Sequence, residues 1–201
     1  MDLLDASDSS PLTGGPSWSL CHRLSRAAWT VTWGLLASWT PAPLHRWRVW
    51  LLNMFGADVH PSAHVYGSAR VWYPPNLTMA AHSCLGPRVN CYSMAEIRLE
   101  EFAVVSQGSH LCAGDHDIED PDFQVVVRPT TIGANAWVAT EAFVGPGVTV
   151  GESAVVGARA VVRMDIEPAA IYVGNPAQLL RFRTLRGKRE RTDQVDRTSP
   201  T

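Results

Sequence analysis

The chain has 201 residues, of which 46% are hydrophobic and 18% are charged, and its formal net charge at pH 7 is −2. This size and apolar content predict one domain with a substantial core plus additional segments, and the near-neutral charge argues against nucleic-acid binding. The four cysteines form no CxxC pair and no metal-finger spacing. We therefore interpret them as reduced thiols of a cytosolic protein.

The N-terminal quarter of the chain has an unusual composition. Residues 1–16 are polar with Pro and Gly, which predicts disorder. Residues 9–57 contain no Asp or Glu, yet they hold four arginines and six of the eight tryptophans. The longest apolar run, residues 27–39, is shorter than the roughly 20 residues that span a bilayer. It also begins too late, and lacks the small-residue cleavage site, for a secretory signal.

Residues 17–56 predict two helices. The first covers residues 17–38 and is closed by the prolines that follow, and the second covers residues 43–55 and ends at Gly56. The side chains of Leu44, Trp47, Leu51 and Met54 are predicted to share one apolar face. Two uses of this segment remain open: a cap on the domain that follows, or a membrane-surface contact with Trp at the interface and Arg toward anionic lipid.

From residue 57 onward the sequence repeats with a period of six. The repeat is clearest after the midpoint of the chain, where glycine follows the aliphatic position in four of six units. A period of six fits neither an α-helix nor an alternating strand, but it is typical of the hexapeptide repeat of a parallel β-helix. We expect the aliphatic positions to stack in the core, and glycine to serve tight corners with unusual backbone angles. The aliphatic positions are Val59, Val65, Val71, Met79, Leu85, Cys91, Ile97, Leu99, Val105, Leu111, Ile132, Val138, Val144, Val150, Val156 and Val162.

Residues 112–131 leave this count, and we predict that they form a loop outside the coil. The loop displays His116 between Asp115 and Asp117. A neutral imidazole, with a reference pKa of about 6.5, can accept a proton near neutral pH. Either acid, or equally a backbone carbonyl, can orient the ring.

Several stretches resemble the hexapeptide-repeat sugar O-acetyltransferases of the colanic-acid and nodulation types. They are "PSWSL", "CLGPRVNCYSMA", "VSQGSHLCAGDHDIEDPDF", "FVGPGVTVGESAVVGARAVV" and "GNPA", and the resemblance covers residues 16–183. It implies a left-handed parallel β-helix over residues 57–183. It also implies a homotrimer that binds acetyl-CoA between subunits and uses a loop histidine as general base. Carried over to this chain, that histidine is His116, with Asp117 beside it.

The resemblance also implies residues for the two substrates. Acetyl-CoA contacts carry over to Ala139 and Thr140, to Ala158, to Arg163 and to Arg181; Met164 replaces the lysine that is common in relatives. Small side chains leave room for the pantetheine arm, and a cation can meet the CoA phosphates. Asn90 and Asp115 are candidates for holding the acceptor sugar. No metal is expected.

The implied function is acetyl transfer from acetyl-CoA to a sugar hydroxyl in exopolysaccharide or related glycan synthesis. The acceptor is a sugar or a lipid-linked glycan, and the location is cytoplasmic, with peripheral contact to the inner membrane face as an open addition. Two rivals use the same solenoid: a γ-carbonic-anhydrase-like zinc enzyme, using His82, His110 and His116, and a non-catalytic scaffold. Residues 184–201 predict a polar tail.

Overall fold

The computed structural model describes residues 18–184. The predicted disordered segment 1–16 lies outside these residues, as do positions 185–201 of the predicted tail. Two α-helices come first, α1 (Leu20–Leu36) and α2 (His45–Met54), and α1 begins at an N-cap in which the Ser19 side chain accepts a hydrogen bond from the His22 N–H. No helix in the described part of the chain is long and apolar enough to cross a membrane.

The predicted apolar face of α2 is wrong. Of the four side chains assigned to it only Leu51 is buried, whereas Trp47 and Met54 are exposed. The buried face instead carries Arg48, together with Val49 and Leu52. The buried side of the helix faces backbone carbonyls that need hydrogen-bond donors, which the guanidinium of Arg48 supplies and an apolar side chain lacks.

After the helices the chain winds into a parallel β-helix of about six turns with three faces. Successive short strands visit face A, face B and face C in turn, and each strand pairs in parallel with its equivalent in the next coil. The strands of face A are β1 (Asp58–Val59), β4 (Leu77–Met79), β7 (Ile97–Leu99), β12 (Thr130–Ile132) and β15 (Thr149–Val150). Face B has β2 (His64–Val65), β5 (Cys84–Leu85), β8 (Val104–Val105), β13 (Trp137–Val138), β16 (Val155–Val156), β18 (Ala170–Val173) and the antiparallel β19 (Gln178–Phe182). Face C has β3 (Arg70–Val71), β6 (Asn90–Tyr92), β9 (His110–Cys112), β14 (Phe143–Val144) and β17 (Val161–Val162).

The stacking of the aliphatic repeat positions in the core is confirmed. Every aliphatic repeat position named above is buried. The strand register places equivalent positions of adjacent coils side by side, for example Val138 beside Val156 and Val144 beside Val162. Each side chain therefore contacts its own equivalents in the coils above and below. This arrangement forms one continuous apolar column along the solenoid axis.

The slips in the repeat come from one corner of the solenoid. The equivalent positions Val59, Met79, Leu99, Ile132 and Val150 on face A lie 20, 20, 33 and 18 residues apart. The added residues all fall between a face C strand and the next face A strand. Two short insertions and one long insertion thus occupy the same edge, which we call the C–A edge.

The predicted reason for the repeat glycines is also wrong. Gly133 and Gly151 do not adopt positive φ. A Cβ on Gly133 would lie 2.7 Å from the Val150 carbonyl oxygen, and one on Gly151 would lie 2.6 Å from the Pro168 nitrogen. Glycine is needed there because the next coil passes too close for any side chain. Left-handed backbone occurs instead two residues later, for example at Asn135 and Ser153.

The two helices cap the open N-terminal end of the solenoid, as one of the two interpretations predicts. The indole N–H of Trp29 donates to the Val71 carbonyl at 2.7 Å, and that of Trp33 donates to the Gly67 carbonyl at 3.0 Å. Arg48, fully buried, donates from Nε to the Val65 carbonyl at 2.6 Å. These donors satisfy carbonyls of the first coil that no preceding coil can pair.

Candidate active site

The predicted loop is a β-hairpin. Strand β10 (Gly114–His116) pairs antiparallel with β11 (Val125–Val127), and the hairpin projects from the C–A edge between β9 and β12. The excursion is therefore shorter than residues 112–131, because Cys112 and Thr130 belong to the coil. The sequence signal for its second strand is the β-branched run Val125–Val127.

The hairpin holds the exposed side chain of His116 at the end of β10. Its ring Nδ1 lies 2.7 Å from the backbone carbonyl oxygen of Phe123, across the turn. A carbonyl only accepts, so this contact requires the proton on Nδ1 and leaves Nε2 as the unprotonated nitrogen of the neutral ring. Phe123 has a positive φ of 49°, an unusual conformation for a non-glycine residue. The turn is thus shaped so that this carbonyl reaches the imidazole.

The acids on either side of His116 bond to backbone N–H groups of the described hairpin and not to the imidazole ring. Asp115 Oδ1 accepts from the His116 backbone N–H at 2.9 Å, and Asp117 Oδ1 accepts from the Glu119 N–H at 3.0 Å. Of the three orienting groups considered from sequence, the structure uses the backbone carbonyl. The acids instead fix the local backbone, as does Asp120, whose Oδ1 accepts from the Asp122 N–H at 2.7 Å.

Asn90 lies on face C, the face that leads into the hairpin. Its Nδ2 lies 3.3 Å from Nε2 of His110 in the next coil, so the amide can donate when that nitrogen is unprotonated. Burial lowers the pKa of His110, which favours the neutral ring that this contact needs. Tyr92 follows on the same strand, beside Cys112 at the foot of the hairpin. Asn90 and His110 thus form a half-buried polar pair at the start of the face C strands, whereas Tyr92 and Cys112 lie at the end that leads into the hairpin.

Sequence reasoning missed an aromatic group at the N-terminal end of this face. Trp72 and Tyr92 meet edge to face with ring centroids 5.5 Å apart, and the Arg26 guanidinium of α1 lies 3.8 Å from the Trp72 ring centroid. Trp18 and His22 complete the group through ring contacts. The sequence signal for this group was the presence of aromatic residues in "VWYPP" and "NCYSM". The six-residue repeat does not show which outward-facing positions lie beside the helices.

Three of the predicted acetyl-CoA residues lie together on a different edge. Ala139 and Thr140 form the corner between faces B and C, which we call the B–C edge, and Ala158 occupies the same corner one coil later. The Thr140 carbonyl accepts from the Arg159 N–H at 2.9 Å, which fixes the spacing of these two corners. Ala139 is buried and Ala158 is exposed, so only the latter offers surface along this edge.

The two predicted cations lie apart from those corners. Arg163 follows β17 at the C–A edge, above the hairpin, and it is exposed beside Met164. Arg181 is exposed on β19, the last strand of face B, where its guanidinium donates to the Phe182 carbonyl at 3.1 Å. One subunit therefore divides the predicted site between two edges. His116 and Arg163 border the C–A side of face C, and Ala139, Thr140 and Ala158 border its B–C side, where Asn90 begins strand β6.

The arrangement holds the imidazole of His116 by Nδ1 on an exposed hairpin, so that in the Nδ1–H tautomer Nε2 is the nitrogen that can accept a proton. Such a group can remove a proton from a hydroxyl held against face C. Among residues 18–184 no three His, Cys, Asp or Glu side chains converge in a way that could hold a metal ion.

Comparisons with known proteins identify relatives of this chain. The chain is 37% identical over 155 residues to the "Putative colanic acid biosynthesis acetyltransferase WcaF" of Escherichia coli K12, a match that covers 77% of this chain and 85% of the relative. It is 52% identical over 54 residues, 27% of the chain, to a chloramphenicol acetyltransferase of Agrobacterium fabrum. No family model matches the sequence.

Solved structures match the fold. A maltose O-acetyltransferase from Clostridium difficile superposes with a TM-score of 0.73 at 20% identity, covering 82% of this chain and 89% of the other. A hexapeptide-repeat acetyltransferase from Vibrio cholerae, solved with acetyl-CoA, gives 0.70 at 20% identity, covering 82% and 90%. A galactoside acetyltransferase in complex with coenzyme A gives 0.63 at 18% identity, covering 84% and 85%. The predicted left-handed parallel β-helix is thereby confirmed.

Proposed function

The chain belongs to the hexapeptide-repeat acetyltransferases of the colanic-acid-biosynthesis type, and from this premise we propose that it transfers an acetyl group from acetyl-CoA to a sugar hydroxyl of an exopolysaccharide or related glycan. The observation that carries the proposal is the exposed His116 ring on its hairpin, with Nδ1 held 2.7 Å from the Phe123 carbonyl oxygen so that Nε2 is the nitrogen available as a base. A cytoplasmic enzyme would meet such a glycan as a lipid-linked or nucleotide-linked precursor.

His116 acts as the general base in this proposal. Nε2 takes the proton of the acceptor hydroxyl while the hydroxyl oxygen attacks the thioester carbonyl carbon of acetyl-CoA. The carbon–sulfur bond then breaks, an ester forms on the sugar, and the departing CoA sulfur receives the proton from the imidazolium. The carbonyl of Phe123 remains bound to Nδ1 throughout, so it stabilises the imidazolium that forms.

The remaining site residues take supporting roles. Asn90 presents an amide to the acceptor sugar from face C, and Asp115 and Asp117 hold the backbone that carries His116. Ala139, Thr140 and Ala158 leave a shallow edge along which the pantetheine arm can lie. Arg163 and Arg181 are exposed cations suited to the phosphates of CoA.

The division of these residues between two edges supports a trimer. A neighbouring subunit that presents its B–C edge to the C–A edge of this one would bring acetyl-CoA within reach of His116. We expect light scattering to give about 66 kDa, three times the 22.0 kDa of one chain. A species near the monomer mass that still transfers acetyl groups would contradict the shared site.

The donor is tested by thermal unfolding with and without acetyl-CoA. A ligand at about 100 times its dissociation constant stabilises the folded state by about 2.7 kcal/mol, so we expect a clear rise in melting temperature. ATP at the same concentration is the matched control, since it carries phosphates without the pantetheine arm. We also expect release of the free CoA thiol only when a sugar acceptor is added.

Other outcomes separate the rival functions. A protein that acetyl-CoA does not stabilise, and that releases no CoA thiol with any glycan, would be a scaffold or would use another donor. Stoichiometric zinc in the purified trimer, with hydration of carbon dioxide, would assign the chain to the zinc enzyme instead.

A further inference from the structure

The outer surface of the N-terminal cap is unusually apolar for a surface that faces water. We define it as the exposed side chains of α1 and α2 and of the turn between them. Leu35 is 67% exposed and Trp39 is 72% exposed. The full set of its large apolar side chains is Leu20, Leu24, Val31, Leu35, Leu36, Trp39, Leu44, Trp47, Trp50 and Met54.

The arrangement on α1 is a second apolar stripe rather than scattered exposure. His22, Trp29 and Trp33 form the buried stripe against the solenoid. Leu20, Leu24, Val31 and Leu35 recur at helical spacing on the opposite side. A helix that only caps a solenoid needs one apolar stripe and a polar outer face, so the second stripe requires a partner.

Three tryptophans extend this stripe beyond the end of α1. The indole N–H of Trp39 donates to the Leu35 carbonyl at 2.7 Å, and that of Trp47 donates to the Leu36 carbonyl at 2.8 Å. Trp50 stacks on Trp47 with ring centroids 5.0 Å apart. The two hydrogen bonds satisfy both indole N–H groups and two of the last carbonyls of α1 without water. The tip of the cap can therefore enter an apolar environment with these polar groups already paired.

The charges of the cap indicate which partner fits. The exposed cations are Arg23 on α1 and Arg46 on α2, and no Asp or Glu occurs between residues 9 and 57. Two copies of this face placed together would bring these cations into contact with no acid to offset them. An anionic bilayer surface instead matches the arginines with lipid headgroups and the tryptophans with the interfacial layer, where Trp is enriched.

We infer that the outer face of the cap binds the surface of an anionic lipid bilayer, with α1 lying in the interface and Trp39, Trp47 and Trp50 at the headgroup level. The inference deepens the proposed function by placing the acceptor sugar on a membrane lipid. Only this choice of acceptor rests on the proposed function. The helices bind carbonyls of the first coil at the end of the solenoid axis, so the outer face of the cap points away from that coil. The active edges would then stand above the membrane.

The experiment is co-sedimentation of the full-length trimer with vesicles of phosphatidylcholine containing phosphatidylglycerol, without acetyl-CoA or sugar. Wild type should bind at low salt, and more weakly to pure phosphatidylcholine or at high salt. Leu35→Glu should lower the vesicle partition constant at least about tenfold, because the burial of one leucine is lost and a negative charge is placed against the negative lipid surface. Arg46→Gln should lower it about fivefold on anionic vesicles only.

The matched control is Leu180→Glu, which adds the same charge at a leucine of similar exposure, 61%. Leu180 lies on strand β19, at the opposite end of face B from strand β2, on which the cap packs. This variant should bind vesicles like wild type. Wild-type protein that ignores anionic vesicles, or Leu35→Glu protein that binds them equally well, would overturn the inference. A fall in oligomer mass on Leu35→Glu would also overturn it, because the face would then be a subunit contact. Since no acetyl-CoA or sugar is present, failure here leaves the proposed chemistry to its own test.

Discussion

Replacing His116 by alanine is expected to lower acetyl transfer roughly 10²–10⁴-fold, the contribution of a positioned general base. The side chain is exposed and its ring is held by the Phe123 carbonyl, so its removal should cost little stability. The stabilisation by acetyl-CoA should persist, because His116 is not among the proposed donor contacts. Rates of CoA thiol release at saturating acetyl-CoA, with a glycan acceptor, measure the loss.

A matched control is His60→Ala. His60 is another exposed histidine, and its Nδ1 contacts only the neighbouring Ser62 among the described side chains. That variant should keep at least half of the wild-type rate. If His116→Ala also keeps more than about half, the base is another group, and the hairpin has a different role.

The largest expected effect on stability comes from Arg48. Its guanidinium is 0% exposed and has no carboxylate partner in the described residues; it binds the Pro41 carbonyl at 3.0 Å, the Ala42 carbonyl at 2.6 Å and the Val65 carbonyl at 2.6 Å. Arg48→Met keeps a long side chain but leaves these carbonyls without donors. Each unpaired buried group costs about 1–3 kcal/mol. Removing the buried positive charge avoids its desolvation cost and so offsets part of the cost of the unpaired carbonyls. We therefore expect a loss of about 3 kcal/mol in the free energy of unfolding.

Arg46→Met on the same helix provides the comparison. Arg46 is exposed, and substitutions at such positions usually change stability by within about 0.5 kcal/mol. Urea unfolding followed by circular dichroism measures both variants under one set of conditions. Equal stability of the two variants would mean that water replaces the guanidinium at the carbonyls, and that the rim does not depend on Arg48.

The β-helix was predictable because its signal is repeated many times. One aliphatic position such as Val156 says little, but a column of equivalents at a fixed spacing leaves few alternative folds. The capping role of residues 17–56 was also accessible, since a solenoid end exposes unpaired backbone. Details of the cap were not. Helical periodicity assigned Met54 to the buried face of α2, whereas the carbonyl rim of the first coil selects Arg48.

The candidate site was predictable only in part, for a physical reason. His116 was identified because it interrupts a regular pattern and resembles a family motif. Its orienting group is a backbone carbonyl, and a carbonyl belongs to every residue, so no sequence pattern could single out Phe123. The separation of Ala158 and Arg163 onto different edges follows from the order of the three faces. The six-residue spacing alone does not reveal the order of the three faces, which is seen only in the three-dimensional structure.

The hairpin enters and leaves the solenoid at a single corner, and Leu99 and Ile132 remain neighbours in register although 33 positions separate them in the chain. The pairing of the coil below with the coil above therefore does not depend on what is inserted between them. Residues 113–129 form an exchangeable cassette: their length and composition can change, by natural variation or by grafting from a relative, while the supporting scaffold is preserved. New acceptor preferences can thus arise on this protein without any change in its core.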